Sequence, residues 1–342
     1  MNRIVRGFAA GLVGAAFAAG AGSAQETVLR ADTSGQGSVP AIMMVTLGEV
    51  LQDQTPYRLQ ISTGKAGTRS AVDGAKGNVD VFSSAPTITH YMKTQTLMFA
   101  KMDDAPELAT HIRSIVNYPF GAYHAVTWAD SGIESLKDVK GKRLFVGPPG
   151  GAAVRSSVSM IEAETGYKMG EDYDTAKLDW NAGFQAFQDR QVDVYFMPSA
   201  APAAQFQQLA AMGEIRFLGL SDEAANSDLI KEVISVVGRT IEELPPGIYG
   251  PNQVNETPVK TLGTWGVLDV GAHVDEETAY QITKAFWDNI DRFHEASVPL
   301  KSITRETGIK YLASPLHPGA YRYYKEAGFD IPPGAVPPEV SQ

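Results

Sequence analysis

The chain contains no cysteine. That excludes a thiol nucleophile, a disulfide scaffold, a Cys-ligated zinc or iron–sulfur centre, and lipid attachment through an N-terminal Cys. Positive charge is also scarce. The chain has 29 Lys plus Arg against 39 Asp plus Glu, a formal charge of −10. That balance argues against a strongly basic nucleic-acid-binding protein. No apolar run reaches the roughly 20 residues needed to span a bilayer as a helix; the longest, 7–21, has 15. The six histidines (His90, His111, His124, His273, His294 and His317) form no His-x-x-x-His pair, so no zinc or iron site is expected. A P-loop, a third glycine completing Gly35-x-Gly37 into a dinucleotide fingerprint, and a Gly-x-Ser-x-Gly elbow are all absent. With no positioned nucleophile, no catalytic residue, metal or cofactor is assigned.

What is present points to export and to two domains. Arg3 and Arg6 precede the Ala/Gly-rich run 7–21, which closes on Gly22-Ser23-Ala24. This order reads as a signal peptide, residues 1–24, cleaved near Ala24, and the mature protein is expected in the periplasm. Removing it leaves 27 basic against 39 acidic residues, a net −12. A chain of 342 residues has room for two domains of about 100–200 residues each, and its 33 Gly and 20 Pro imply many turns.

Short β-branched or aromatic runs alternate with helical spacings. Strands are expected at 27–31, 57–62, 79–82, 122–128, 143–146, 192–197 and 215–218, and an extended run at 259–267. Helices are expected at 42–52, 67–76, 154–165, 184–189 and 227–233, with one long amphipathic helix at 276–295. Strands separated by helices imply parallel β–α units and an α/β fold.

Three loops stand at the carboxyl ends of these strands, where open α/β sheets hold small ligands. The first carries Ser34, Gly35, Gly37 and Ser38. The second carries Ser83 and Ser84, and the third Gly150, Gly151, Ala152 and Ala153 with the Ser156 hydroxyl behind it. Bare glycines there let backbone amides approach an anion, although most such glycines simply turn the chain. Arg69 and Arg155 follow two of the loops in the first turns of expected helices, suited to gripping a carboxylate with two parallel hydrogen bonds or to lying solvated on the surface. Lys65 has the same two readings. Trp180 either walls a pocket or fills a core.

The order of these segments resembles the TAXI family of extracytoplasmic solute receptors, which serve tripartite ATP-independent periplasmic (TRAP) transporters. The resemblance runs from about Val28 to Phe329. It is most specific at Ser314-Pro315-Leu316-His317-Pro318-Gly319-Ala320-Tyr321-Arg322-Tyr323-Tyr324-Lys325-Glu326, similar to the family's closing signature. It is supported at 130–143, 220–224 and 246–249. The resemblance implies a two-lobed periplasmic binding protein of the type II-like class, with the ligand cleft between the lobes. Lobe I would be residues 26–125 plus 256–342, and lobe II residues 126–255. Its site would fall on the three loops, on Arg69 and on Ser70 beside it. Its ligand would be a small organic anion, an amino acid such as glutamate or a dicarboxylate, and its partner a membrane permease. Where the family carries aromatics after the first loop, this chain has Pro40, Ala41 and Ile42. Where it carries Ser-Gly-Thr in the third, this chain has Gly151-Ala152-Ala153. A binding protein of an ABC importer or of a sensor kinase, and more remotely a periplasmic hydrolase, remain open on the sequence.

Overall fold

The structure is a computed structural model that describes residues 26–340, so the expected signal peptide lies outside the described residues. The fold is α/β and two-lobed, built on one curled sheet of ten strands. The first five strands are β1 (Thr27–Asp32), β2 (Tyr57–Ser62), β3 (Val81–Ser84), β4 (Ile112–Trp128) and β5 (Arg143–Phe145). They are followed by β6 (Asp174–Thr175), β7 (Val194–Ser199), β8 (Ile215–Leu218), β9 (Arg239–Leu244) and β10 (Val259–Gly271). Their main spatial order is β2-β1-β3-β10-β4-β7-β5-β6, with β8 beside β4 and β9 beside β10.

Expected parallel units occur at both ends of this order. β1 is parallel to β2 and β3, and β5 is parallel to β6 and β7. The centre is antiparallel: β10 runs against β3, β4 and β9, and β4 against β7 and β8. The two central strands are also the longest, 17 and 13 residues. Each passes from one half of the molecule into the other.

Two aromatic-rich cores flank that crossing. One joins α1 (Val39–Gln54), through Met43, Leu47 and Leu51, to Leu268 and Val270 of β10 and to Phe286, Phe293 and Tyr324. The other gathers Phe145, Phe187, Tyr195, Phe196, Phe206 and Phe217. In the second, the His124 ring stacks on Phe206 at 4.2 Å and its Nε2 lies 2.6 Å from the Tyr249 hydroxyl. Burial pushes this histidine down to about 3, so the ring is neutral. A third cluster, around Phe82, Ile88 and Met92, also contains Ala152 from the far side of the cleft.

Several boundaries moved for local reasons. α1 begins at Val39 rather than 42, because Ser38 caps it and Pro40 suits a first helical turn. β3 ends on Ser83 and Ser84, which were expected in the following loop. They pair with Leu268 and Val267 instead. The expected helix 276–295 is two helices, Glu276–Asp288 and Ile290–Ala296. Asn289 leaves helical geometry between them and bonds its own amide to the Ala285 carbonyl at 2.9 Å. Residues 112–121 were not expected to be extended, nor was β9.

Candidate ligand-binding cleft

A cavity of about 560 Å³, counting the mouth that opens to solvent, lies between the two cores. The chain reaches it at the ends of β1, β3 and β5. There Ser34, then Ser83 and Ser84, then Pro148, Gly151, Ala152 and Ala153 form part of its lining.

Three helices start at this cavity: α2 (Gly67–Ala75), α3 (Pro86–Thr94) and, numbering α4 as Ala105–Ala109, α5 (Ala152–Thr165). Their N-cap residues are Ala66, Ala85 and Gly151, none of which makes a side-chain cap hydrogen bond. By contrast, Ser38 caps α1, and Asp179 caps α6 (Trp180–Gln188). An uncapped N-terminus presents amide hydrogens and the positive end of the helix dipole. Three of them converge here, so this part of the protein is electropositive without any charged side chain.

One charged side chain adds to it. Arg239, at the start of β9, is buried and lines the cavity. Its Nη1 donates to the Tyr123 hydroxyl at 3.0 Å and to Ser156 Oγ, and its Nη2 faces the Ala152 carbonyl at 3.5 Å. Its Nε has no acceptor. Among the described residues no carboxylate pairs with it, and none lines the cavity. Ser84 Oγ and Thr87 Oγ1, also at the cavity, are buried and unpartnered. Leaving such groups unpaired costs about 1–3 kcal/mol each, which a bound oxyanion would recover.

Apolar faces line much of the rest, beside the hydroxyls of Ser34, Ser83, Tyr118 and Thr264. Ile88, Tyr118, Phe120, Pro198 and Trp180 contribute faces. Trp180 does so from the first turn of α6, where Asp179 accepts the Ala182 amide at 2.8 Å. It also meets Phe145 edge-on at 5.6 Å. Its core and wall readings are thus the same placement.

The other sequence-derived positions divide. Ser34 and Ser38 hydrogen-bond each other at 2.8 Å. Gly35 and Gly37 line a neighbouring groove with Gln36, Trp180 and Asn181. Gly150 sits at a positive φ of 72° outside the cavity lining. Neither expected arginine is there. Arg69 is largely exposed and pairs with Asp73 at 3.5 Å, one helical turn away. Arg155 reaches Glu232 at 3.5 Å. Ser70 and Lys65 both serve the buried Asp32, at 3.4 and 3.6 Å. Burial raises that carboxyl above its ordinary value, with Lys65 opposing the shift. Arg239, Thr87, Phe120 and Tyr123 were not expected at all. The only sequence signal for Arg239 is a charged residue opening a strand behind Gly238.

Residues 98–328 match the NMT1-like family, about two thirds of the chain. This chain belongs to that family. Among solved structures it is similar to the alkanesulfonate-binding protein of Xanthomonas axonopodis pv. citri bound to MOPS. Identity is 12%, coverage is 89% of this chain and 92% of that one, and the TM-score is 0.46. It is similar to a TRAP periplasmic solute-binding protein of Shewanella oneidensis with bound succinate, at 10% identity, 88% and 91% coverage and a TM-score of 0.45. The periplasmic ectoine-binding protein of a Halomonas elongata TRAP transporter gives 12%, 87% and 90%, with a TM-score of 0.42. As for other chemistry, no group of three His, Asp or Glu among the described residues could hold a metal ion. No described helix is long and apolar enough to cross a membrane.

Proposed function

We propose that this NMT1-like chain is an extracytoplasmic solute receptor of a TRAP-type transporter, of the TAXI kind. It works in the periplasm once residues 1–24 are removed, binds a small organic anion between its lobes, and delivers it to a membrane permease. It binds without catalysis. Glutamate and small dicarboxylates are the anions that the family resemblance brings forward.

The observation that carries this reading is Arg239, a buried guanidinium facing a cavity with no carboxylate partner among the described residues. Burying an unpaired charge is costly, so a protein that does it gains when an anion arrives. The three uncapped helix starts around the same cavity favour the same charge. The cavity lies between two separate cores that the long strands β4 and β10 connect, which suits closure of one lobe on the other. Closure is biased only as far as the ligand binds the closed state better.

The test is ligand-dependent stability of the purified protein. Thermal unfolding is followed with a panel of amino acids, mono- and dicarboxylates, and mass spectrometry identifies what the protein retains on purification. A ligand at 100 times its Kd adds about 2.7 kcal/mol of stability, a clear rise in Tm. If no anion raises Tm and only neutral or cationic compounds are retained, the reading is wrong.

A further inference from the structure

The cavity has one charged end and no second one. Arg239, the start of α5 and the start of α3 meet there. Arg239 Nη2 reaches the Ala152 carbonyl at 3.5 Å, and a side chain on Gly238 would stand 3.3 Å from Pro86. Ala152 shares a buried cluster with Ala71, Ala85 and Ile88. The rest of the lining is uncharged: Phe120, Pro40, Pro198 and Trp180 give apolar faces, and Ser34, Tyr118 and Thr264 add hydroxyls. The acidic side chain nearest in sequence to the first loop, Asp32, is occupied by Lys65 and Ser70 and does not line the cavity.

We infer that the ligand is a monocarboxylate with an apolar body and no ammonium group. This rests on the anion-receptor reading above and narrows it away from glutamate and the dicarboxylates. An α-ammonium group needs a carboxylate or several carbonyls to replace its water, and no carboxylate lines this cavity. A second carboxylate needs a second cation, and the rest of the lining offers none, only hydroxyls set among aromatic and proline faces. Desolvating either group against those faces without a partner costs far more than an apolar group does. An apolar body gains there instead, in proportion to the area it removes from water. The head fits the donors left over. Nη1 is committed to Tyr123 and Ser156, which leaves Nε and the second Nη2 hydrogen, side by side, for the two oxygens of one carboxylate.

The experiment is calorimetric titration of the purified protein with five probes: phenylacetate, its neutral comparator phenylacetamide, isovalerate, succinate and glutamate. Phenylacetate or isovalerate is expected to bind, and phenylacetamide at least 100-fold more weakly than phenylacetate. Arg239→Gln is expected to lose the same factor. Because Arg239 also supports Tyr123 and Ser156, that variant can lose its fold. The acid–amide comparison on the unaltered protein needs no variant and carries the test by itself. Tighter binding of succinate or glutamate than of both monocarboxylates overturns this inference and leaves the anion-receptor reading standing. Equal binding of phenylacetate and phenylacetamide overturns both. Silence from all five probes overturns this inference, and the ligand retained on purification then decides the reading it rests on.

Discussion

The Asn181 side-chain oxygen accepts a hydrogen bond from the Gln36 backbone amide at 3.0 Å, joining residues 145 positions apart. Its amide group also approaches the Thr63 hydroxyl at 3.5 Å. Asn181 sits on α6 beside Trp180, whereas Gln36 and Thr63 follow β1 and β2, so the contact spans the mouth of the cleft. It exists only when the halves are together. Asn181→Ala should leave each core intact and weaken the closed state by about 0.5–1.5 kcal/mol, the worth of one such bond. Small-angle scattering of the ligand-free protein should then show a larger radius of gyration. Ligand affinity should fall about two- to tenfold, because the competent state is less populated. Unchanged scattering and affinity would remove Asn181 from the closure.

Gly35 tests the same seam by sterics. A Cβ built there stands 3.0 Å from the Trp180 Cβ, at the root of a side chain that cannot swing away. Gly35→Ala should therefore hold the halves apart by a few tenths of an ångström and reduce ligand affinity more than Asn181→Ala does. Tm without ligand should change by little, since neither core is touched. A large fall in Tm with normal affinity would place Gly35 in a folding role instead.

The positions of these residues show how far a sequence can be read. Loop 33–38, the strand-end serines and the α5 start were legible because glycine and serine punctuate the chain where amides must be free. The order of strands and helices was legible for a similar reason, the change of apolar spacing from two to about 3.6. Arg239 was not, because its role depends on what surrounds it in space. It is 83 positions from Ser156 and 116 from Tyr123. Arg69 and Arg155 had the more suggestive local setting and were both drawn to carboxylates nearby, Asp73 one turn on and Glu232 across a surface. Local sequence identifies which groups are able to bind an anion. The tertiary structure decides which of them already has a partner.

That contrast is measurable. Arg69→Ala and Arg155→Ala remove exposed or part-exposed ion pairs worth about 0–1 kcal/mol. Each should leave ligand affinity within about twofold of the parent and stability nearly unchanged. If either variant abolishes binding while keeping its Tm, the arginine reaches the ligand in a way that the closed arrangement does not show.

Asp269, in β10, gives the protein a pH dependence unrelated to the ligand. It is buried, accepts the Ser114 hydroxyl at 2.9 Å, and leaves its second oxygen unpartnered. Burial pushes its carboxyl up from 3.8 to about 8, with the Ser114 bond opposing the shift. A carboxyl raised on folding is protonated in the folded chain and ionised in the unfolded one between those values. The folded state thus binds the extra proton, and stability falls as pH rises from about 4 towards about 8. Asp269→Asn should remove that slope. Its Tm should exceed the parent's at pH 7.5 and approach it near pH 4.5. Parallel Tm curves for the two proteins across that range would show that Asp269 is not the titrating group.

Gly121 lies where β4 passes between the two cores, three residues after Tyr118 of one and next to Ala122 of the other. Its φ is +107°, and an added Cβ would fall 2.3 Å from the Ala200 backbone. The pairing with β10 slips here: Trp265 faces Pro119 and Thr264 faces Gly121, so Phe120 is the extra residue of a bulge. A bulge re-aims the side chain at its centre, and Phe120 lines the cavity. Gly121→Ala should therefore do two things together. It should cost about 3 kcal/mol of stability through backbone strain and the contact with Ala200, read as a lower urea midpoint. It should also weaken ligand binding, because closing the bulge withdraws Phe120. Phe120→Ala, with the backbone left alone, should weaken binding without lowering the urea midpoint comparably. If Gly121→Ala unfolds earlier but binds as tightly as the parent, the bulge serves the sheet alone and Phe120 owes its position to something else.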